Sequence, residues 1–345
     1  MRWRRHSCLP RRGSWGCVCR SCYALCAALV LAGCGHYTDF TLPPLAGGDP
    51  QASYTWEPNT TPVLGPGAQW DSHDALNPSV VDGRDMFYSG YDGKTWRTLH
   101  ARSDDSIHWR KLGLVLEPDR NTWEGTYIAA NGSALRYAGE YWYWYVAGSK
   151  ELPRIGLTRS TDTRNWHKEP TPVLETGPRG AWDERGVADP YVIRIEPYFY
   201  LFYLGQDRAH RQRIGVARSS DGLAWQKLRS NPILEVGDFG AFDENGLGEP
   251  AVWHDRGFYW MLFTGRDVHE NRRLGLARSA DGIRWRKLPP VFAGAETWDS
   301  KVICDPTVQV DAGSEVRVWF GGGDVAHTDE NIDGQIGYGL LRPVR

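Results

Sequence analysis

Five times along the chain an aromatic–acid pair precedes a short apolar segment headed by a polar residue. The copies are Trp70-Asp71 before Asn77-Pro78, Trp123-Glu124 before Asn131-Gly132, Trp182-Asp183 before Asp189-Pro190, Phe242-Asp243 before Glu249-Pro250 and Trp298-Asp299 before Asp305-Pro306. The heading residues lie 54, 58, 60 and 56 positions apart. A period of this length belongs to repeat architectures, in which each copy buries its apolar faces against its neighbours. Residue types that recur in every copy read as architecture. The heading position changes, as Asn, Asn, Asp, Glu and Asp, and function is sought there.

The third copy shows how one repeat is built. Strand A is expected from Asp189 to Ile195, strand B from Tyr198 to Gly205, strand C from Arg213 to Ser219 and strand D from Trp225 to Leu234. Asp221-Gly222 between C and D is a hairpin signal, because glycine accepts positive φ. The turn recurs as Ser103 to Trp109, Ser160 to Trp166, Ser219 to Trp225 and Ser279 to Trp285. It is similar to the Asp-box turn of sialidases but one residue shorter, and it reads as a turn-stabilising device. With 17 Trp, 16 Tyr and 39 Gly, the chain suits many short strands better than helices. The fifth copy ends after strand C, whereas Thr55-Trp56-Glu57 and Pro62-Val63-Leu64 match strand D of the third copy. The fold predicted is all-β: a five-bladed β-propeller over residues 54–345, four antiparallel strands per blade, with the last blade closed by the N-terminal strand. A solenoid of the same repeats is the competing architecture.

Residues 1–33 read as a signal peptide. Six arginines precede the short apolar run Tyr23 to Gly33, and Leu31-Ala32-Gly33-Cys34 resembles a bacterial lipobox with Cys34 as the lipidated residue. Residues 34–53, rich in Gly, Pro and small polar residues, are expected to form a flexible tether. The expected location is a lipid anchor in the bacterial cell envelope, with the outer membrane favoured. Cleavage removes six positive charges and takes the formal net charge from -2 to -8, which speaks against nucleic acid as a partner. Only Cys34 and Cys304 remain, so a lipidated Cys34 leaves no intramolecular disulfide. A monomer is expected.

Successive strands of a propeller alternate in direction, so the D-to-A connections and B-to-C loops share one face. That face carries the heading residues and the polar loops holding Asp207, Arg208, Arg266 and Asp267. Asn77, Asn131, Asp305, Asp207, Arg208, Arg266 and Asp267 are the candidate substrate-binding residues, on the ground that scaffold-held loops concentrate binding groups. The repeated aromatic residues read as wedges between blades, and the acids beside them as backbone-bonding residues. His73, His210, His254, His269 and His327 are scattered, with no metal-ligand spacing, and neither a metal nor a cofactor is expected.

Cleaving a glycosidic bond requires two carboxyl groups flanking it, and Asp189 and Glu249 on neighbouring blades supply such a pair. The segments Asn77-Pro78-Ser79-Val80-Val81, Ala188-Asp189-Pro190-Tyr191-Val192, Gly248-Glu249-Pro250-Ala251-Val252 and the Ile214-Gly215-Val216-Ala217-Arg218-Ser219 repeat resemble the five-bladed furanosidase-type propellers of glycoside hydrolase families 43 and 32. The resemblance covers residues 54–345. It implies that Glu249 is the general acid, raised in pKa by Asp189, and that Asp189 orients the substrate. The first acid of that pattern is here Asn77, and an amide is no general base near neutrality. Three readings stay open: Asp74 acts as the displaced base, an external nucleophile such as phosphate takes part, or the chain binds glycans without cutting them. The partner expected is an oligo- or polysaccharide. The alternatives to a glycosidase are a carbohydrate-binding propeller and a protein-binding one.

Overall fold

The computed structural model describes residues 36–344. The signal peptide and Cys34 lie outside the described residues. The body is all-β apart from one 3-10 turn at Thr297–Asp299. Its strands pair as five consecutive antiparallel ladders, labelled repeats 1 to 5. Their innermost strands are Asp74–Val81, Ile128–Tyr137, Gly186–Ile195, Gly246–Asp255 and Val302–Val310. Each is followed outward by strands B, C and D. In repeat 4 these are Phe258–Arg266, Arg272–Ser279 and Arg286–Phe292.

Each inner strand packs against the next, and the fifth packs against the first, so the set closes on itself. The closing strand is the expected one. In repeat 5 the outermost strand is Ser53–Pro58, antiparallel to Gln335–Val344 with Trp56 opposite Leu341. Tyr54 in this strand is 1% exposed and donates to Asp255 at 2.5 Å, which ties the closure to repeat 4.

Two repeated devices hold the ladders. In the Ser-x-Asp turns, Asp221 Oδ1 accepts the amides of Leu223 and Ala224, and Ser219 Oγ accepts the Gly222 amide at 2.9 Å. The indole of Trp144 in repeat 2 donates to the Gly222 carbonyl of repeat 3, and that of Trp319 in repeat 5 donates to the Ser106 carbonyl of repeat 1. The turns are therefore structural clasps between neighbours. Among the acids of the aromatic–acid pairs, Asp299 and Glu124 make the expected backbone bonds, accepting the amides of Glu296 and Asp119, and three of the five lock two side chains each. Asp71, Glu124 and Asp183 accept a tyrosine hydroxyl (Tyr88, Tyr145, Tyr203) and a strand-D lysine (Lys111, Lys168, Lys227). The neighbouring aromatic covers a bare backbone position, as Trp182 does over Gly205 and Gly215. Any side chain at those glycines meets the indole, so the ring is held as a wedge.

The segment expected to be a flexible tether is packed from Tyr37 onward. Tyr37–Thr38 pairs in parallel with Lys227 and Leu228. Leu42 is 1% exposed and Tyr259 donates to the Pro43 carbonyl. The Gly/Pro content that suggested flexibility leaves enough apolar side chains (Phe40, Leu42, Leu45) to dock on repeats 3 and 4.

Candidate functional site

The heading residues do not open their strands. Each stands three residues inside, as Asp189 does in Gly186–Ile195, where the ladder slips. The same slip occurs in all five inner strands. Asn77, Asn131, Asp189, Glu249 and Asp305 hold φ of 47°, 49°, 47°, 52° and 51°. The left-handed region is unfavourable for residues with a Cβ. Five strained residues at five bulges re-aim five polar side chains toward the axis, which is how bulges are used beside active sites.

These residues form the floor of a cavity of about 420 Å³, and all five line it. They are also bonded around the ring. Asn77 Nδ2 donates to Asp305 Oδ1 at 2.5 Å, Asn131 Nδ2 donates to Asp189 Oδ1 at 3.4 Å, and the Asp305 amide donates to Glu249 Oε2 at 3.0 Å. The amides of repeats 1 and 2 thus serve the carboxyl groups of repeats 5 and 3.

Three carboxyl groups on neighbouring strands repel one another when charged. Burial, and then the Glu249 charge, push Asp189 up to about 7. The same two causes raise Asp305 well above the usual carboxylate range. Burial pushes the Cys304 thiol up. The counter-cation is Arg272, 7% exposed. Burial works against its charge, but Cys304, Glu249, Asp305 and Asp329 outweigh it and keep the guanidinium charged.

Among the described residues, one grouping brings three metal-capable side chains together: Glu249, Cys304 and Asp305, with ligand atoms within 4.8 Å. Asp305 already accepts from Asn77 and Cys304, and Glu249 accepts from the Asp305 amide. The grouping is knit internally.

The other expected site residues divide. Arg266 lines the cavity, paired with Glu270. Asp207 is buried beneath its loop, accepting the amides of Ala209 and Arg211 and pairing with Arg213. Asp267 does the same for His269 and Asn271. Both shape loops, and neither lines the cavity. Arg208 points outward onto Glu184. Asp74 is fully buried and accepts the amides of Asn331, Ile332 and Gly334 at 2.6, 3.1 and 2.8 Å. Three backbone donors occupy both of its oxygens and it does not line the cavity, so Asp74 fastens a loop and is not the displaced base.

Sequence reasoning missed Arg272, Gln212 and Trp96, all of which line the cavity. A signal for them exists. Trp96, Pro153, Gln212 and Arg272 stand seven residues before Ser103, Ser160, Ser219 and Ser279, and this second variable position starts or nearly starts strand C in repeats 1 to 4.

An antiparallel ring of ladders whose inner strands aim carboxyl groups into an axial cavity is the architecture of the propeller glycosidases. The model of the glycosyl hydrolases family 32 N-terminal domain matches residues 85–241 and, overlapping, 156–318, and the chain belongs to this family. Uncharacterized protein MT1551 of Mycobacterium tuberculosis (strain CDC 1551 / Oshkosh) is 30% identical over 228 residues, 61% of this chain and 75% of that protein. Among solved structures, one described as a glycoside hydrolase aligns with a TM-score of 0.67 and 18% identity, covering 95% of this chain and 96% of that one. A GH130 structure, from a family described as mannoside phosphorylases containing hydrolases of β-1,2 mannosidic linkages in Candida mannan, aligns with a TM-score of 0.65 and 17% identity, covering 88% of this chain and 96% of that one. At these identities the structures speak for the fold.

Proposed function

We propose that the protein is a five-bladed propeller that cleaves glycosidic bonds in an extracytoplasmic oligo- or polysaccharide, held to the envelope by lipid on Cys34. The observation that carries this reading is the pair Asp189 and Glu249, on neighbouring inner strands in the floor of one cavity. A glycosidase needs one carboxyl group protonated and one charged at the same pH, which environments of different polarity produce.

Sequence reasoning gave the acid role to Glu249. The burial of Asp189 favours exchanging the roles. Asp189 is pushed up to about 7 by burial and by the Glu249 charge, so it keeps a proton under mildly acidic conditions. In the proposed reaction Asp189 gives that proton to the glycosidic oxygen as the bond to the anomeric carbon breaks. The Glu249 carboxylate either takes a proton from the attacking water or bonds to the anomeric carbon itself, water then releasing the sugar. Asn131 steadies Asp189 and the Asp305 amide steadies Glu249. Asn77 donates to Asp305 and contributes no base.

That last bond also supports a second reading, a propeller that binds glycans without turnover. The two are separated with a form beginning after Cys34, presented with arabinan, xylan, fructan, mannan and uronate oligosaccharides, with and without phosphate. Sugar or sugar phosphate released by the wild type, and lost in Asp189→Asn, supports cleavage. Saturable binding with no release from the same glycan supports the second reading.

A further inference from the structure

The second variable position lines the cavity with Trp96, Pro153, Gln212 and Arg272, and of these four only Arg272 is charged. Its Nη2 donates to the carbonyl of His327 at 2.9 Å and to that of Thr328. Both acceptors belong to segment 324–334, which joins Val316–Gly323 to Gln335–Val344 in repeat 5. From that anchor the segment crosses the mouth of the ring. Thr328 and Asp329 line the cavity. Lys150 of repeat 2 pairs with Asp329 at 2.9 Å and with Glu330 at 3.1 Å. Tyr127 donates to Glu330 at 3.0 Å. The amides of Asn331, Ile332 and Gly334 close on Asp74 of repeat 1. One segment is therefore fastened to repeats 4, 2 and 1, and Arg272 is the fastener that also lies among the charges of Glu249, Asp305 and Asp329.

We propose that segment 324–334 is a specificity-determining wall of the sugar site and that Arg272 is the positioning residue coupling that wall to the carboxyl floor. The inference rests on the sugar-cleaving reading. One guanidinium nitrogen, Nη2, satisfies both carbonyls, while the rest of the planar group carries its charge beside the acids that line the same cavity. A lysine ammonium is a more compact point charge on a different stem, so it keeps the charge without spanning both the carbonyls and the acids. Tie and charge are separable, and they act on different steps. The tie keeps Thr328 and Asp329 against bound sugar, which is felt in binding. The charge acts on the carboxyl groups of the floor, which is felt in the chemical step.

The test compares Arg272→Lys with Arg272→Gln by amide hydrogen exchange at Asn331, Ile332 and Gly334 and by steady-state kinetics. Both variants should speed exchange at those amides about tenfold or more, since the segment loses its tie to repeat 4. Arg272→Lys should raise KM about tenfold with kcat falling less than tenfold, and Arg272→Gln should lose about a hundredfold in kcat as well. Wild-type exchange in Arg272→Lys overturns the proposal, as does equal kcat in the two variants. Exchange needs no substrate, so an Arg272→Gln protein that fails to fold leaves Arg272→Lys to decide the wall. A wild type that turns over no glycan, with Arg272→Lys exchanging faster, overturns the cleavage reading and keeps the wall as a feature of a binding site.

Discussion

The mouth and the outer clasps of this molecule are both built by repetition, but they spend it differently. At the clasps the same side chains recur because they do the same job: an acid, a tyrosine and a strand-D lysine lock the connections of repeats 1 to 3, an acid and a lysine that of repeat 4, and two of the Ser-x-Asp turns receive an indole from the neighbour. At the mouth only the backbone recurs. Five bulges hold five left-handed residues, and onto that common frame the chain places two amides and three carboxyl groups. A repeat fold gives stability where copies agree and chemistry where they differ.

Four substitutions sharpen or break that contrast. The largest effect is expected at the mouth. Asp189→Asn, unable to donate a proton as an acid does, should lower kcat about 10³-fold on any glycan that is turned over. The same change should help stability at higher pH. Asp189 is raised from 3.8 to about 7 on folding, so the folded state binds more protons than the unfolded one between those values. The stability that Asp189 itself contributes is then fully present below about pH 4, falls as pH rises toward about 7, and is lost above it. Melting temperatures of wild type and Asp189→Asn should therefore diverge over that window, with the variant the more stable at pH 8.

At the clasps the expectation is reversed. Lys227→Ala strips the cationic partner from fully buried Asp183, whose bond to Lys227 is 2.5 Å long. It should cost about 3 kcal/mol in denaturant unfolding and leave kcat within about twofold. Asn77→Asp, back at the mouth, sets a fourth carboxyl group against Asp305 in place of a 2.5 Å donor. It should cost about 2 kcal/mol at neutral pH. An Asn77→Asp protein of undiminished stability and higher turnover would break the contrast, since repeat 1 would then accept a base. The smallest effect belongs to Asp221→Ala, which frees two turn amides and should cost about 1 kcal/mol with activity intact.

The sequence made legible whatever is repeated or periodic. The inner strands, the Ser-x-Asp turns and the closing strand were legible to within a few residues: the inner strands begin three residues before the heading positions and the closing strand runs from Ser53 to Pro58, because alternation and turn chemistry are local properties. What escaped depends on contacts between distant segments. Asp74 looked like a spare base, and only the arrival of residues 331–334, some 257 positions away, turns it into a fastener. Asp207 and Asp267 looked like binding groups for the same reason: their partners are loop amides whose direction no composition reveals. The packed segment after Tyr37 was hidden because a few apolar side chains among glycines and prolines carry no period. Arg272 was overlooked although its signal was present, since attention to one variable position concealed the other.

The most direct test is glycan release by the form beginning after Cys34, measured beside Glu249→Gln, which keeps the shape of the floor and removes the charge. The account predicts a wild type that releases sugar from at least one of the glycans named above and a variant in which that release is abolished. Release that persists undiminished in Glu249→Gln would contradict it, because the carboxyl groups at the mouth would then have no part in breaking the bond.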